Sequence, residues 1–157
     1  MCGIVGIFCP GCDNFSASRI SEPTRLLSHR GPDGQGVETL QETSFGHARL
    51  AILGLDDPMS RQPIKSNTHL LTYNGEIYNY QALGDYTNDI EFVDDCVNSN
   101  ARALAQGWGP WAWAWTNGTT VRYAADPQGE KTLYQYQDDD ILIVCSEVAP
   151  ILEYKRI

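Results

Sequence analysis

The chain has no apolar run approaching the roughly 18 residues that a bilayer-spanning helix needs. A helical membrane protein is thereby excluded. Its apolar start, Cys2 to Cys9, is too short for a secretory signal and has no basic leader before it, so the cytoplasm is the expected location. Positive charge is scarce as well, with 11 Lys and Arg against 20 Asp and Glu and a net charge of −9. A field of that sign repels nucleic acid and anionic lipid, and no basic run reverses it locally, so neither is an expected partner. The three histidines, His29, His47 and His69, stand singly, and no metal site is expected. Repeats, low-complexity segments and linkers are missing too. The 157 residues, 42% hydrophobic and 20% charged, read as one globular domain over 1–157.

Cysteine is present in an odd number, five. Without an export signal this predicts free thiols rather than a disulfide framework. Cys9-Pro10-Gly11-Cys12 has C-x-x-C spacing, but the second ligand pair of a zinc site is lacking, and Pro-Gly suits a turn better than the helix start of a redox motif. The expectation is a turn carrying two thiols. Two sequons, at Asn14 and Asn117, carry no expectation in a chain that is not exported.

Local patterns predict mixed α and β structure. Gly3 to Phe8 reads as a buried strand, and a helix is expected from about Arg19 to Ser28, capped by Ser18 or Ser21. His29 to Gly36, with three glycines and a proline, must be a loop, followed by a strand from Gly46 to Leu53 and a turn-rich stretch around Asp56-Asp57-Pro58. His69 to Tyr73 reads as a strand stopping at the turn pair Asn74-Gly75, and Asp94 to Gln106 as a helix. Trp111, Trp113 and Trp115 alternate with alanines, which puts three indoles on one strand face. They could stack on sugar or base rings, but so much apolar area fits core packing better. Strands at Thr120 to Ala124, Thr132 to Gln137 and Ile141 to Ser146, the last two joined by an Asp138-Asp139-Asp140 hairpin, complete an α+β order.

Four features carry possible chemistry. A small residue at position 2 permits removal of Met1, which would leave Cys2 with its own α-amine beside its thiol, a nucleophile and base in one residue. Asn74 and Gly75 can offer an amide and a backbone N–H to a developing oxyanion, although alone the pair reads as a plain turn. Arg49 suits an α-carboxylate, and Asp95 an α-ammonium group. Taken singly, the last two read as solvated surface charges.

Together these pieces resemble the class II glutamine amidotransferase domain, the glutaminase half of asparagine synthetase and its relatives. The start Met1-Cys2-Gly3-Ile4-Val5-Gly6-Ile7-Phe8 is similar to the family's opening, and Ser28 to Gly36 (SHRGPDGQG) to its glutamine-covering loop. Gly46 to Leu53 (GHARLAIL) resembles the strand with the substrate-binding arginine, and Asn74-Gly75-Glu76-Ile77-Tyr78-Asn79 matches the oxyanion segment in full. The likeness thins after Tyr80. Asp94-Asp95-Cys96-Val97 is set against the family's Ser-Asp-Thr-Glu, with Asp95 the better match and Asp94 the alternative. Ala125 to Tyr134 is similar to its Arg-Asp-x-x-Gly-x-Lys-Pro-Leu-Tyr run, and Cys145-Ser146-Glu147 to its closing Ala-Ser-Glu.

The resemblance implies an N-terminal-nucleophile hydrolase fold, an αββα sandwich of two antiparallel sheets between helical layers. It implies that Cys2 attacks the glutamine side-chain amide, forms a glutamyl thioester and releases ammonia, with Asn74 and Gly75 as oxyanion hole. Arg49 would hold the substrate carboxylate, backbone atoms from Leu50 through Ile52 to Leu53 would line the pocket, and Gly75, Glu76 and Asp95 would lie at the amino end. No metal or organic cofactor is implied. L-glutamine is the expected substrate, and since no synthetase half follows, the ammonia acceptor is expected on another chain. The competing readings are a glutamine-binding regulatory protein, a remnant of an asparagine-synthetase-like enzyme without turnover, and an N-terminal-nucleophile hydrolase for a different amide.

Overall fold

The computed structural model describes residues 1–12, 17–52 and 60–154. Nine strands fall into two antiparallel sheets. The first, in the order β2-β3-β1-β9-β8, is built from Gly34–Leu40 (β2), Thr43–Arg49 (β3), Gly3–Phe8 (β1), Leu142–Cys145 (β9) and Tyr134–Gln137 (β8). The second, β4-β5-β6-β7, uses Ile64–Lys65 (β4), Leu70–Gly75 (β5), Trp111–Thr116 (β6) and Val121–Ala125 (β7).

Each strand alternates between an outer and an inner face. Inward, Phe45, Leu70, Ala114 and Val144 form the core between the sheets. Outward, Val5, Ile7, Ala48, Ile143 and Cys145 of the first sheet pack with Ile20 and Leu27 in and just after helix α1 (Ala17–Arg25), and with Ile151 of α4 (Ala149–Tyr154). On the second sheet Leu71, Tyr73 and the three tryptophans pack with Ile90, Phe92, Val93 and Val97 of α3 (Asp89–Ser99) and Leu104 of a 3-10 helix, Ala101–Gln106. The short α2, Tyr80–Leu83, precedes α3. This is the expected sandwich of helix, sheet, sheet and helix.

The tryptophan stripe is core, as its period of two suggested. Trp113 is 4% exposed, and each buried indole contributes on the order of 4–6 kcal/mol of area burial before ordering costs. Trp115 Nε1 donates to Asn98 Oδ1 at 2.9 Å, and the Arg122 guanidinium lies 4.0 Å over its ring.

Several boundaries move. The strand expected at Gly46 to Leu53 begins at Thr43 and ends at Arg49, because hairpin pairing with β2 extends it backward; Leu53 and the Asp56-Asp57-Pro58 turn lie outside the described residues. The loop after His29 ends at Asp33, since Gly34 and Gly36 already pair with Arg49 and His47. Asn74-Gly75 is no turn. Both residues continue β5, opposite Ala112 and Trp111, because β6 supplies ladder partners that a local reading cannot see.

The helix expected from Asp94 instead starts at Asp89. The Asn88 side chain caps it by accepting from Glu91 N–H at 2.9 Å, and the Glu91 carboxylate reaches back to Thr87 N–H at 2.7 Å. Cys9 and Cys12, expected as free thiols, form a disulfide. The Pro10-Gly11 turn, with Gly11 at φ 75°, brings their Cα atoms to 5.5 Å, within bridging range.

Candidate active site

At one end of the sandwich the inner layer stays open. Because Gly3 pairs with Ala48, the preceding Cys2 emerges beside the end of β3. Its thiol donates to the Leu50 carbonyl (3.6 Å), and its sulfur accepts from Leu50 N–H (3.3 Å). Arg30 clamps the other side, with Nε donating to the Cys2 carbonyl at 3.0 Å and Nη1 to Glu147 at 3.0 Å; His29 Nε2 reaches the same carboxylate oxygen at 2.9 Å. Burial pushes the Glu147 carboxyl up, but the hydrogen bonds from Arg30 and His29 outweigh it and hold the group below its ordinary value. It is therefore a charged anchor for the N-terminal segment.

Of the three free cysteines, Cys96 and Cys145 are buried, and burial pushes their thiols up to about 11 and about 12. Both are poor nucleophiles. Cys2 is the half-buried one, and it lines a cavity of about 100 Å³ together with Arg49, Leu50, Ile52, Asn74, Gly75 and Glu76. Asn74 is 2% exposed and shares the inner face of β5 with Leu70 and Thr72. Its Nδ2 has no hydrogen-bond partner among the described residues. A buried donor without an acceptor is costly unless a ligand or water completes it. Gly75 is required by close packing: a Cβ there would lie 2.5 Å from the Pro110 carbonyl oxygen and 2.8 Å from Trp111 Cα.

The covering-loop residues also reach this end. Gly31 backs directly onto the Ala48 and Arg49 backbone, where no Cβ fits. Asp33 N–H donates to the Arg49 carbonyl at 3.0 Å, and its carboxylate accepts from Ala51 N–H at 2.7 Å.

Asp95 is not brought to the cavity. It is exposed on α3, where its carboxylate accepts from the Tyr86 hydroxyl at 2.8 Å. Asp94 is directed to His69 Nε2 (2.9 Å) and Asn98 Nδ2 (3.1 Å). The acid of α3 that does line the cavity, beside Glu76, is Asp89. Six residues of helix separate Asp89 from Asp95, about 9 Å of rise and roughly 120° around the axis. Asp89 accepts from the Tyr73 hydroxyl (2.8 Å) and Ile77 N–H (3.1 Å). Burial raises its carboxyl above the ordinary value, although those two hydrogen bonds oppose the rise. The Tyr73 hydroxyl is pushed well above its usual value, by burial first and then by Asp89, so it remains a donor.

The signal for Asp89 was present in the sequence. Asn88-Asp89-Ile90-Glu91 is a cap-x-x-Glu run before apolar Phe92 and Val93, and it repeats the spacing of Ser-Asp-Thr-Glu better than the Asp94 run does. His47 and Gln62 also line the cavity and were not foreseen. Gln62 accepts from Tyr73 N–H at 2.6 Å through its side-chain oxygen. A second cavity of about 480 Å³, between β2 and the Arg61 to Pro63 segment, shares His47, Arg49 and Gln62 with the first. Among the described residues no three His, Cys, Asp or Glu side chains converge as a metal site would require, and no helix is long and apolar enough to cross a membrane.

A thiol at a strand start, an unfilled amide donor, a guanidinium and two carboxylates thus surround one small cavity. The family model for a glutamine amidotransferase domain matches residues 1–157. The chain is 43% identical over 98 residues to asparagine synthetase [glutamine-hydrolyzing] 3 of Arabidopsis thaliana, covering 59% of this chain and 16% of the relative. It is 33% identical over 147 residues to asparagine synthetase [glutamine-hydrolyzing] 1 of Saccharomyces cerevisiae, covering 85% and 25%. The chain therefore spans a quarter or less of the length of these relatives. Among solved structures, glutamine phosphoribosylpyrophosphate amidotransferase from B. subtilis shares the fold, with a TM-score of 0.78 at 18% identity over 98% of this chain and 43% of that one.

Proposed function

Because the chain belongs to the glutamine amidotransferase domain family, we propose that it hydrolyses the side-chain amide of glutamine, with Cys2 as N-terminal nucleophile. The observation that carries this reading is the buried, partnerless Asn74 Nδ2 in the same small cavity as the half-buried Cys2 thiol. A donor left open beside a nucleophile is what a developing oxyanion requires.

Removal of Met1 frees the α-amine of Cys2 as the base for its own thiol. The sulfur attacks the amide carbon, the amide oxygen takes up negative charge, and the Asn74 amide with Gly75 N–H stabilises it. Collapse expels ammonia with the proton relayed through the α-amine, leaving a glutamyl thioester that water cleaves to glutamate and free thiol. Arg49 holds the α-carboxylate, and Leu50 and Ile52 line the pocket. Asp89 takes the α-ammonium group with Glu76, the role first read onto Asp95. Its carboxyl, raised by burial, gains a cation when substrate arrives, and the pairing restores its charge. The ammonia passes to a synthetase or transferase unit outside these 157 residues.

The test is the intact mass of the purified protein before and after a glutamine-mimicking diazoketone. The expected result is loss of Met1 and a single adduct, blocked by excess glutamine and missing in Cys2→Ala. Retained Met1, or a cleanly processed chain that gains no adduct, overturns the hydrolytic reading in favour of glutamine binding without turnover.

A further inference from the structure

One polar group in the cavity wall has no part in the mechanism above. His47 is 1% exposed and sits on the inner face of β3, between Phe45 and Arg49. Burial, opposed by a hydrogen bond to the Tyr73 backbone carbonyl and assisted by the nearby Arg49 charge, lowers its imidazolium to about 4. The ring is therefore neutral near pH 7. Nε2 has no partner among the described residues, so the nitrogen bonded to the Tyr73 carbonyl is Nδ1, and it carries the proton. What remains is a bare Nε2, a buried acceptor on a residue that lines the cavity.

Two residues of the cavity wall thus carry atoms of opposite kind that are unsatisfied among the described residues, the donor Asn74 Nδ2 and the acceptor His47 Nε2. A carboxamide is their complement, since its oxygen accepts and its nitrogen donates. A carboxylate satisfies the donor but sets a second lone-pair oxygen against the bare nitrogen. We propose that His47 Nε2 accepts a hydrogen bond from the side-chain amide nitrogen of the substrate, making His47 a specificity residue that separates glutamine from glutamate. The inference rests on the glutaminase reading and extends it: product loses the hydrogen bond that substrate makes, so glutamate is released as readily as glutamine is held. Buried polar groups left unpaired by the wrong ligand are the source of such discrimination.

The test is calorimetric binding to Cys2→Ala protein of glutamine, glutamate and glutamate γ-methyl ester, the analogue with OCH3 in place of the amide NH2. Glutamine is expected to bind about tenfold more tightly than the ester, the worth of one buried hydrogen bond. In Cys2→Ala/His47→Leu that ratio falls to near one, while binding of the ester does not weaken. His47→Gln, which can still donate to the Tyr73 carbonyl and accept in the cavity, restores part of it.

A second readout needs no change at position 47. The imidazole ¹⁵N signal of Nε2 shifts toward a hydrogen-bonded value with glutamine but not with the ester. Equal binding of glutamine and ester, an unchanged ratio in His47→Leu, or a ¹⁵N shift that ignores the ligand each overturns the proposal. If the diazoketone adduct forms while one of these results is obtained, only the role of His47 fails. If neither adduct nor binding is seen, the glutaminase reading fails first.

Discussion

Strands β5 and β6 serve two regions that could hardly differ more. Their outward side chains, Leu71, Tyr73, Trp111, Trp113 and Trp115, are packed under α3 in a nearly continuous apolar layer. Their inward side chains begin in the same manner, with Leu70 and Ala114 in the core between the sheets. Toward the open end, however, the inner layer turns polar, and Asn74 and His47 present groups that the protein leaves unsatisfied. Among the described residues the outer layer has one comparable orphan, the Trp113 indole N–H, but Trp113 is not one of the residues that line the cavity with Cys2. One pair of strands thus divides its alternate residues between holding the fold and leaving chemistry open.

The contrast can be broken at either side, and the largest effect is expected from the packed one. Trp113→Ala removes a buried indole and should lower unfolding free energy by about 3–5 kcal/mol in denaturant titrations, with the KM of the folded fraction unchanged. Loss of substrate affinity without loss of stability would reverse the assignment of the two regions. On the open side, Asn74→Ala should lower kcat by roughly 10²–10³-fold, about 2.7–4 kcal/mol, while stability holds or rises because an unsatisfied buried donor is removed. Steady-state glutaminase kinetics beside a melting curve would test both halves.

Smaller effects separate the two ends of α3. Asp89→Asn should raise the glutamine KM about tenfold, the worth of one charge-assisted contact, whereas Asp95→Asn, exposed and bonded to Tyr86, should change it less than twofold. The reverse ranking would return the amino-end role to Asp95. The smallest effect concerns pH. Since the folded Asp89 carboxyl lies above its ordinary value of 3.8, the native state binds more protons than the unfolded one between the two values. Its contribution therefore weakens the fold as pH rises through that window and strengthens it as pH falls, opposite to a salt-bridged aspartate. Urea titrations of the unliganded protein across that range should show a slope that Asp89→Asn removes.

Much of the candidate site was legible because it is local. Cys2 at a strand start, the GHARL strand and the Asn74-Gly75-Glu76 run are contiguous motifs whose spacing survives without knowledge of the fold. The tryptophan stripe was legible because a period of two needs no partner to be read. The errors lie where a distant segment decides. Asn74-Gly75 looks like a turn until β6 pairs with it, whereas the Cys9–Cys12 bridge is a local exception that closes over three residues and that spacing alone does not reveal. The choice among Asp89, Asp94 and Asp95 depended on where α3 starts, and the capping box that marks this lies in a stretch of weak apolar periodicity.

The linear order of residues was enough to determine a two-sheet α+β chain with a cysteine just before its first strand, since strand alternation, turn chemistry and motif spacing act over a few neighbours. Only the tertiary structure could decide which acid faces Cys2, that Arg30 and Glu147 anchor the N-terminal segment, and that His47 stays neutral beside Arg49. Burial and the partners of a side chain are set by segments far away in the chain, and these alone settle whether a polar atom is satisfied or left open for a ligand.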